Sequence, residues 1–267
     1  MKHYGLIGEK LGHSLSVPIH EEIFRLMGID ADYTLIEIPR DELDQRLPEL
    51  IQSYDGLNVT IPYKTDVFRH VDVLDATATQ AQSANTICAR AAYNTDMYGF
   101  QAMLSLHHMQ VKGQKCYILG SGGAAKGVAA ALGNLSCAGV TMVSRTPGDR
   151  LGHRVISYED LPGEFEGLLV NCTPVGMYPK PDACPLSKDA LDVILKKAYG
   201  VADLIYNPLE TQLLRAARDH GVPACNGLTM LVAQAMEAER IWQNQQIPED
   251  VLRPEFLESL ERMLPSS

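Results

Sequence analysis

Short apolar runs alternate with amphipathic stretches along almost the whole chain. The first series of runs predicts strands at Tyr4–Gly8, Tyr33–Ile38, Gly56–Val59 and Thr86–Ala89. A second series predicts strands at Cys116–Leu119, Val140–Ser144, Leu168–Asn171, Ala202–Ile205 and Pro223–Cys225. Helical periodicity covers Val17–Met27, Asp41–Ser53, Met97–His108, Thr229–Gln243 and Glu255–Met263. Alternation of this kind is typical of mostly parallel sheets covered by helices, so the pattern predicts an α/β fold.

The second series opens on a glycine-rich turn. Gly120-Ser-Gly-Gly-Ala-Ala-Lys126 follows the apolar run Cys116–Leu119 and precedes the alanine-rich run Val128–Leu132, which predicts strand, turn and helix in succession. Glycines let the backbone approach a pyrophosphate, and the helix N-terminus adds N–H groups and a positive dipole end. Ala125 stands where the last glycine of the dinucleotide fingerprint is expected. A glycine turn without a ligand is the alternative interpretation.

The position of this turn predicts the domain organisation. A dinucleotide-binding half-fold normally begins at its own glycine strand, so the earlier strands need a separate domain. We therefore expect a substrate-binding catalytic domain at residues 1–97 and a Rossmann-like nucleotide-binding domain at residues 98–228. The last helices follow the final predicted strand, and residues 229–267 are expected to return to the first domain and complete it.

Composition narrows the class of protein. The 267 residues are 46% hydrophobic and carry a net charge of −10, which argues against a nucleic-acid or anionic-membrane partner. The six cysteines are scattered without a C-x-x-C pair, and the histidines lack metal-ligand spacing, so no metal site is predicted. No apolar run reaches membrane-spanning length, and the first residues lack the apolar core of a signal peptide. We expect a cytoplasmic protein that acts on a small molecule.

Two polar clusters of the first half follow predicted strands. Ser14 and Ser16 present two hydroxyls before a helix, which suits a carboxylate, although Ser16 could instead cap that helix. Lys64 is the sole charge in the segment Gly56–Lys64, and a lysine that is merely solvated is the alternative. Because ligands of α/β proteins gather at the carboxyl ends of strands, both clusters are candidate binding sites.

Further polar clusters lie at other predicted strand ends. Ser83–Thr86 and Asn94–Asp96 add hydroxyls, amides and a carboxylate, although such groups often satisfy local backbone groups instead. Together with the serines and Lys64 they suit a small polyol or hydroxy acid. In the second half, Asn171–Met177 and Asp203–Pro208 end strands, and Gln234 lies on one face of the helix after Asn226. Plain strand-terminating turns and a surface glutamine are the alternatives.

Taken in order, these clusters resemble the shikimate dehydrogenase family over nearly the whole chain. The matching segments are YGLIGEKLGHSLS at 4–16, NVTIPYK at 58–64, ANT at 84–86, NTDMYGF at 94–100, LGSGGAAKG at 119–127, SRT at 144–146, NCTPVGM at 171–177, DLIYNPLET at 203–211 and NGLTMLVAQA at 226–235. The resemblance implies reversible, NADPH-dependent reduction of 3-dehydroshikimate to shikimate, a step of aromatic amino-acid biosynthesis.

The resemblance also implies the role of each site residue. Lys64 and Asp96 would form the catalytic pair. The substrate would be bound by these two residues and by Ser14, Ser16, Thr60, Asn85, Tyr206 and Gln234. NADP would be bound at the pyrophosphate turn, at the adenosine ribose and beside the nicotinamide by Gly120, Ser121, Gly122, Gly123, Ala124, Ser144, Arg145, Thr146, Leu204 and Gly227.

Several positions depart from the family pattern or bear on specificity. The segment between Asn85 and Asp96 is shorter than usual, as if its hairpin turn were trimmed, and Ser144 replaces an asparagine. No acid ends the strand before Arg145, although Asp149 follows, so NADP is preferred over NAD. A quinate or quinate/shikimate dehydrogenase that uses NAD is the alternative, and a non-catalytic dinucleotide sensor is a further one. Monomer and homodimer both remain open.

Overall fold

The computed structural model describes residues 1–12, 14–146, 148 and 152–264. The chain forms two compact units, each with its own six-stranded sheet. The first unit contains Met1–Gly99 and Leu231–Leu260, and the second contains Phe100–Met230 and the chain from Glu261 onward. Most of the C-terminal helical segment, Leu231–Leu260, therefore belongs to the first unit. Within the described ranges, no helix is long and apolar enough to cross a membrane.

The first unit begins with a β–α–β arrangement and continues as a mixed sheet. Its elements are β1 (Lys2–Gly8), α1 (Ser16–Met27), β2 (Ala31–Glu37), a 3₁₀ turn (Arg40–Glu42), α2 (Leu43–Ser53), β3 (Gly56–Val59), a 3₁₀ turn (Asp66–His70), β4 (Val73–Leu74), α3 (Ala76–Ala81), β5 (Thr86–Cys88), β6 (Ala91–Tyr93) and the start of α4 (Asp96–Leu106).

The sheet of the first unit has the order β2-β1-β3-β5-β6-β4. Strand β1 is parallel to both β2 and β3, with Tyr4 opposite Tyr33 and Gly56. Strand β5 is antiparallel to β3 and to β6. A parallel pair needs a long crossover, and only Ala89 and Arg90 connect β5 to β6, so this pair must be a hairpin. The short segment noted in the sequence is this two-residue connection.

The second unit contains a wholly parallel sheet. Its elements are the rest of α4, β7 (Lys115–Leu119), α5 (Gly123–Asn134), β8 (Gly139–Val143), β9 (Arg154–Ile156), α6 (Leu161–Glu164), β10 (Gly167–Asn171), α7 (Lys188–Leu195), β11 (Ala198–Asp203), α8 (Gln212–Asp219), β12 (Ala224–Cys225) and the start of α9 (Leu228–Gln243). After α9, the chain continues through a 3₁₀ turn (Glu249–Leu252) and α10 (Pro254–Met263).

The strand order of the second unit creates a ligand-binding position. The order is β12-β11-β10-β7-β8-β9, so the chain moves outward from β7 in one direction and then returns to β10 on its other side. Ligands of open α/β sheets bind at such a switch point, beyond the carboxyl ends of the strands. Every residue of β10 is buried, as expected for a strand with both faces covered. The glycine turn follows β7 and therefore lies at this switch point.

Trp242 on α9 attaches that helix to the sheet of the first unit. Its indole nitrogen donates to the Ile87 carbonyl oxygen at 3.0 Å, and its ring stacks on Tyr4 with centroids 4.8 Å apart. A Cβ added to Gly56 would lie 2.3 Å from the indole nitrogen. Glycine at this position of β3 thus makes room for the tryptophan that brings the C-terminal helices to the first unit.

Element boundaries differ from the sequence prediction in a few places. Helix α4 ends at Leu106 rather than His108, because His108 has a φ of 55° that a helix does not accommodate. Strand β11 runs from Ala198 to Asp203 rather than over 202–205. Strands β4, β6 and β9 were not predicted, because runs of two or three residues are too short to show periodicity.

The hairpin turn at Ala89 provides a stability test. Ala89 and Arg90 have φ angles of 45° and 63°, the conformation of a two-residue turn that favours asparagine or glycine. Since the left-handed conformation is unfavourable for alanine, we expect Ala89→Asn to raise the thermal unfolding midpoint by about 2 °C. Ala91→Asn, one residue into β6, is the matched control and should give no gain. An unchanged or lower midpoint for Ala89→Asn would contradict this account.

Candidate active site

Two serine hydroxyls lie beside the N-terminus of α1. Ser14 Oγ accepts a hydrogen bond from the Ser16 backbone N–H at 3.2 Å and donates to Ser16 Oγ at 3.1 Å. Helix α1 begins at Ser16, its N-cap is Leu15, and the Leu15 side chain makes no capping hydrogen bond. The alternative that Ser16 serves as the helix cap is therefore wrong. The two hydroxyls instead lie at the positive end of the α1 dipole, where an anion is stabilised.

Lys64 and Asp96 form a desolvated ion pair. Lys64 lies in the turn after β3, and its carbonyl oxygen accepts a backbone hydrogen bond from Ala84 at 2.7 Å, which fixes that turn. Asp96 is the first residue of α4. Lys64 Nζ donates to Asp96 Oδ2 at 2.5 Å, and the two side chains are only 14% and 8% exposed. The small exposure strengthens the Coulomb attraction between the two charges and makes loss of either partner costly.

Asn85 holds the other side of the Asp96 carboxylate. Its amide nitrogen lies 2.9 Å from Asp96 Oδ1, 2.9 Å from Thr95 Oγ1 and 3.2 Å from Gln234 Oε1. The carboxylate thus has one oxygen on the ammonium and one on an amide. The structure brings Lys64, Asn85, Asp96 and Gln234 together in the first unit, although Gln234 is 149 positions from Asn85.

Thr60 is connected to the same turn through its backbone. The Thr60 N–H donates to the Ile7 carbonyl oxygen at 2.9 Å, and the Thr60 carbonyl oxygen accepts from Tyr63 at 2.9 Å. A Cβ added to Gly8 would lie 2.8 Å from the Thr60 methyl carbon. The glycine that ends β1 therefore leaves room for Thr60 at the carboxyl ends of β1 and β3.

The glycine turn of the second unit fits a pyrophosphate. Gly120 has a φ of 102°, and a Cβ there would lie 3.2 Å from the Thr173 methyl carbon. Gly122 is the N-cap of α5 and has no side chain to occupy that end of the helix. A Cβ added at Gly122 would meet no atom of the described residues within 4 Å, so its backbone borders open space. An anion can therefore approach the helix N-terminus closely.

The predicted adenosine-ribose contacts lie at the end of β8. Ser121 Oγ donates to Ser144 Oγ at 3.4 Å, and Ser144 Oγ accepts from the Thr146 N–H at 3.3 Å. Arg145, between them, is exposed, and its charge is close enough to Tyr158 to oppose the rise in the pKa of that phenol caused by burial. Asp149 and Arg150 lie outside the described residues.

Leu204 and Gly227 meet by a close backbone approach. A Cβ added to Gly227 would lie 2.1 Å from the Leu204 carbonyl oxygen, and the Gly227 N–H donates to Ile205 at 3.0 Å. Only glycine fits there, and it brings the start of α9 against the end of β11. Tyr206 follows in the same unit, and burial raises the pKa of its phenol.

Asp203 organises the strand ends around Leu204, a role that sequence reasoning missed. Its Oδ1 accepts from the Asn171 amide at 3.0 Å and from the Ile205 N–H at 3.1 Å. Its Oδ2 accepts from the Thr211 hydroxyl at 2.7 Å, and Thr211 caps α8. Asp203 is fully buried, and desolvation raises its pKa from 3.8 to about 6. A lone aspartate at a strand end carries no sequence signal of this role.

Comparisons with known proteins identify a family to which this chain is similar. The family model described as the shikimate dehydrogenase substrate binding domain matches residues 6–87. A protein of Clostridium beijerinckii named shikimate dehydrogenase (NADP(+)) is 36% identical over 260 residues, which cover 92% of this chain and 94% of that protein.

Solved structures extend the similarity to the whole chain. A chorismate mutase/shikimate 5-dehydrogenase fusion protein from Clostridium acetobutylicum is 40% identical with a TM-score of 0.92, and the match covers 99% of each chain. Shikimate 5-dehydrogenase from Thermus thermophilus, in complex with NADP(H) and shikimate, is 30% identical with a TM-score of 0.84, and the match covers 98% of this chain and 99% of that one.

Asp203 gives the protein a predictable dependence of stability on pH. Because its pKa is raised on folding, the folded protein holds a proton that the unfolded chain releases, so stability falls as pH rises from about 4 to 6. In Asp203→Asn the amide can accept from Asn171 and Ile205 and donate to Thr211. We expect the variant to gain about 3 kcal/mol relative to wild type across that range. Urea unfolding of both proteins at several pH values measures the difference, and parallel pH profiles would contradict the assignment.

Proposed function

This chain belongs to the shikimate dehydrogenase family, and we propose that it reversibly reduces 3-dehydroshikimate to shikimate with NADPH as a step of the shikimate pathway. The observation that carries the proposal is the largely buried Lys64–Asp96 pair, held by Asn85. Lys64 and Asn85 lie in the part of the chain that the family model matches. Relatives named shikimate dehydrogenase (NADP(+)) support both the reaction and the cofactor.

We assign the substrate carboxylate to Ser14 and Ser16. Both hydroxyls lie at the N-terminus of α1, where the helix dipole favours an anion. Ring hydroxyls would bind Thr60, Asn85, Gln234 and Tyr206, whose polar atoms match an alcohol in either donor or acceptor role. Quinate carries an extra hydroxyl on the carboxylate-bearing carbon, and the closely spaced serines offer it no evident partner. We therefore expect shikimate to be preferred over quinate.

NADP would be held by the second unit. Gly120, Ser121, Gly122, Gly123 and Ala124 would cradle its pyrophosphate at the N-terminus of α5. Ser144, Arg145 and Thr146 would bind the ribose and its 2′-phosphate, with Arg145 supplying the positive charge. Leu204 and Gly227 would border the nicotinamide, since their close approach leaves backbone rather than side chain at that position.

The proton of the reaction is assigned to Lys64. When bound, NADPH supplies the hydride. A ketone that gains a hydride becomes an alkoxide, and Lys64 Nζ can donate first a hydrogen bond and then a proton to that oxygen. Asp96 Oδ2 fixes the ammonium, and Asn85 fixes Asp96 through Oδ1. In the reverse direction the neutral amine accepts the hydroxyl proton.

The free cysteines bear on the cellular compartment. All six cysteines have free thiols, which suits the reducing cytoplasm that we propose for this protein. Monomer and homodimer both remain predictions.

A spectrophotometric hydride-transfer assay that crosses shikimate and quinate with NADP⁺ and NAD⁺ tests the whole proposal. The expected result is turnover with shikimate and NADP⁺, and quinate turnover equal to that of shikimate would overturn the substrate assignment.

Lys64 provides the sharpest test of the chemistry. Lys64→Ala should lower kcat by about 10²–10⁴-fold, because it removes the proposed proton donor. NADP⁺ binding, measured by fluorescence titration, should remain largely intact. Lys115→Ala, which removes an exposed ion pair with Glu166, is the control and should leave kcat unchanged.

Folding must be separated from chemistry in this test, because Lys64→Ala leaves the Asp96 carboxylate without its ammonium. Lys64→Gln keeps a donor toward Asp96 and should fold better while remaining catalytically defective. Circular dichroism and the unfolding midpoint establish that each variant is folded. A folded Lys64 variant with near-wild-type kcat would rule out the mechanism.

Arg145 is expected to discriminate between the two cofactors. A charge-assisted contact with the 2′-phosphate is worth about 10- to 150-fold, so Arg145→Ala should lower kcat/KM with NADP⁺ by that factor. Activity with NAD⁺, which has no 2′-phosphate, should change little and serves as the internal control. An equal loss with both cofactors would assign Arg145 a structural role instead.

A further inference from the structure

A chain of hydrogen bonds runs from Tyr33, which adjoins Ser16, to Asp96, and three of its residues have no role in the proposed reaction. Tyr33 lies on β2, Asn58 on β3 and Thr86 on β5, and all three side chains are buried. The Tyr33 hydroxyl donates to Asn58 Oδ1 at 2.7 Å, and the Asn58 amide nitrogen lies 3.1 Å from Thr86 Oγ1. These contacts cross the sheet of the first unit from β2 to β5.

A backbone carbonyl oxygen fixes which way the Asn58 side-chain amide points. The Asn58 amide nitrogen also lies 3.1 Å from the Asn85 carbonyl oxygen, which can only accept a hydrogen bond. The nitrogen must therefore point to β5, and Oδ1 must point to Tyr33. Because Oδ1 can only accept, the Tyr33 hydroxyl must be the donor.

A second backbone group fixes the direction at Asn85. The Thr95 N–H, which can only donate, lies 2.7 Å from Asn85 Oδ1. The Asn85 amide nitrogen therefore faces Asp96 Oδ1 at 2.9 Å. Thr86 Oγ1 already accepts from Asn58, so its own hydrogen is available for Asn85 Oδ1 at 3.3 Å, and Thr95 Oγ1 is a second neighbour at 3.4 Å. Each member thus donates toward Asp96.

Tyr33 also adjoins the Ser14–Ser16 pair. The Tyr33 hydroxyl hydrogen is used toward Asn58, and Ser16 is close enough to Tyr33 to oppose the rise in the pKa of that phenol caused by burial. Ser16 Oγ accepts from Ser14 at 3.1 Å, so its own hydrogen is available for a neighbouring acceptor such as the Tyr33 oxygen. A carboxylate bound at the serines would take these two hydroxyl hydrogens.

A buried pair behind Tyr33 holds its ring in place. His20 stacks on the Tyr33 ring with centroids 4.0 Å apart and planes within 8°. His20 Nδ1 lies 2.6 Å from Glu239 Oε1, and both side chains have no exposed surface. Burial and the Glu239 charge raise the pKa of Tyr33 well above its usual value, so the hydroxyl remains a donor.

We propose that Tyr33 and Thr86 are positioning residues that hold the carboxylate-binding serines and the Lys64–Asp96 pair in one fixed register. The inference rests on the proposed function, because the serines and Asp96 contact two ends of one substrate only if the protein catalyses the proposed reaction. Neither residue is assigned a contact with substrate. Tyr33 and Thr86 act through Asn58 and Asn85, whose side-chain amides connect the two hydroxyls to Asp96.

Kinetics of matched variants test the proposal. Thr86→Val keeps the shape of the side chain and removes the hydroxyl, whereas Thr86→Ser keeps the hydroxyl. We expect Thr86→Val to lower kcat/KM for shikimate by about three- to tenfold, the effect of one lost hydrogen bond, with an unchanged KM for NADP⁺. Thr86→Ser should restore the wild-type value. Wild-type kinetics for Thr86→Val would overturn the proposal.

Tyr33→Phe tests the other end of the chain and has a close control. Tyr4 is a second buried tyrosine of the same core, and its hydroxyl accepts from Gln243 at 2.9 Å. Both Phe variants should lower the unfolding midpoint, but only Tyr33→Phe should lower kcat/KM for shikimate. A loss of the same size in Tyr4→Phe would reduce Tyr33 to a purely structural residue.

A measurement without turnover separates this inference from the proposed function. In unfolding experiments the combined effect of Tyr33→Phe and Thr86→Val should be smaller than the sum of the single effects, because both break one chain. Tyr4→Phe combined with Thr86→Val should be additive. Additive effects of Tyr33→Phe and Thr86→Val would overturn the inference that both residues belong to one chain of hydrogen bonds. A folded wild-type protein that is inert toward shikimate would overturn the proposed function, whatever the unfolding cycle gives.

Discussion

The burial of the Lys64–Asp96 ion pair is the constraint on which the site in the first unit depends. Two charges that are removed from water need compensating hydrogen bonds as well as each other. Asp96 has this compensation, since one oxygen accepts from Lys64 and the other from Asn85. The Lys64 carbonyl oxygen in turn accepts from the backbone at Ala84, next to Asn85. The turn after β3 and the segment that leads into β5 are therefore fixed together.

Asp203 shows the opposite treatment of a buried carboxylate. Asp96 has an ammonium partner, whereas the three hydrogen-bond donors to Asp203 are an amide, a backbone N–H and a hydroxyl. Neutral donors offset only part of the cost of removing a charge from water, so desolvation dominates and the pKa of Asp203 rises to about 6. The Asp96 carboxylate holds an ammonium group, whereas the Asp203 carboxylate joins strand ends through neutral donors.

Glycines set the geometry of the second unit at two backbone approaches. Gly122 leaves the N-terminus of α5 without a side chain, which suits an anion. Gly227 lets α9 begin against the Leu204 carbonyl oxygen, at a distance that any Cβ would prevent. Both positions lie at the carboxyl end of the parallel sheet, so the chemistry expected of a nucleotide site is provided mainly by backbone.

The sequence by itself determined the local order of strand, glycine turn and helix, because apolar periodicity and glycine act over a few residues. The motifs also identified Lys64 and Asp96 as candidates through a family resemblance. Only the tertiary structure decided that Asn85 and Gln234 share a site across 149 positions, since hydrogen bonds between distant segments leave no periodic signal. It also decided that Ser16 starts α1 without capping it. The structure likewise decided the contact between Tyr33 and Asn58, because β2 and β3 lie on either side of β1 only in the folded sheet.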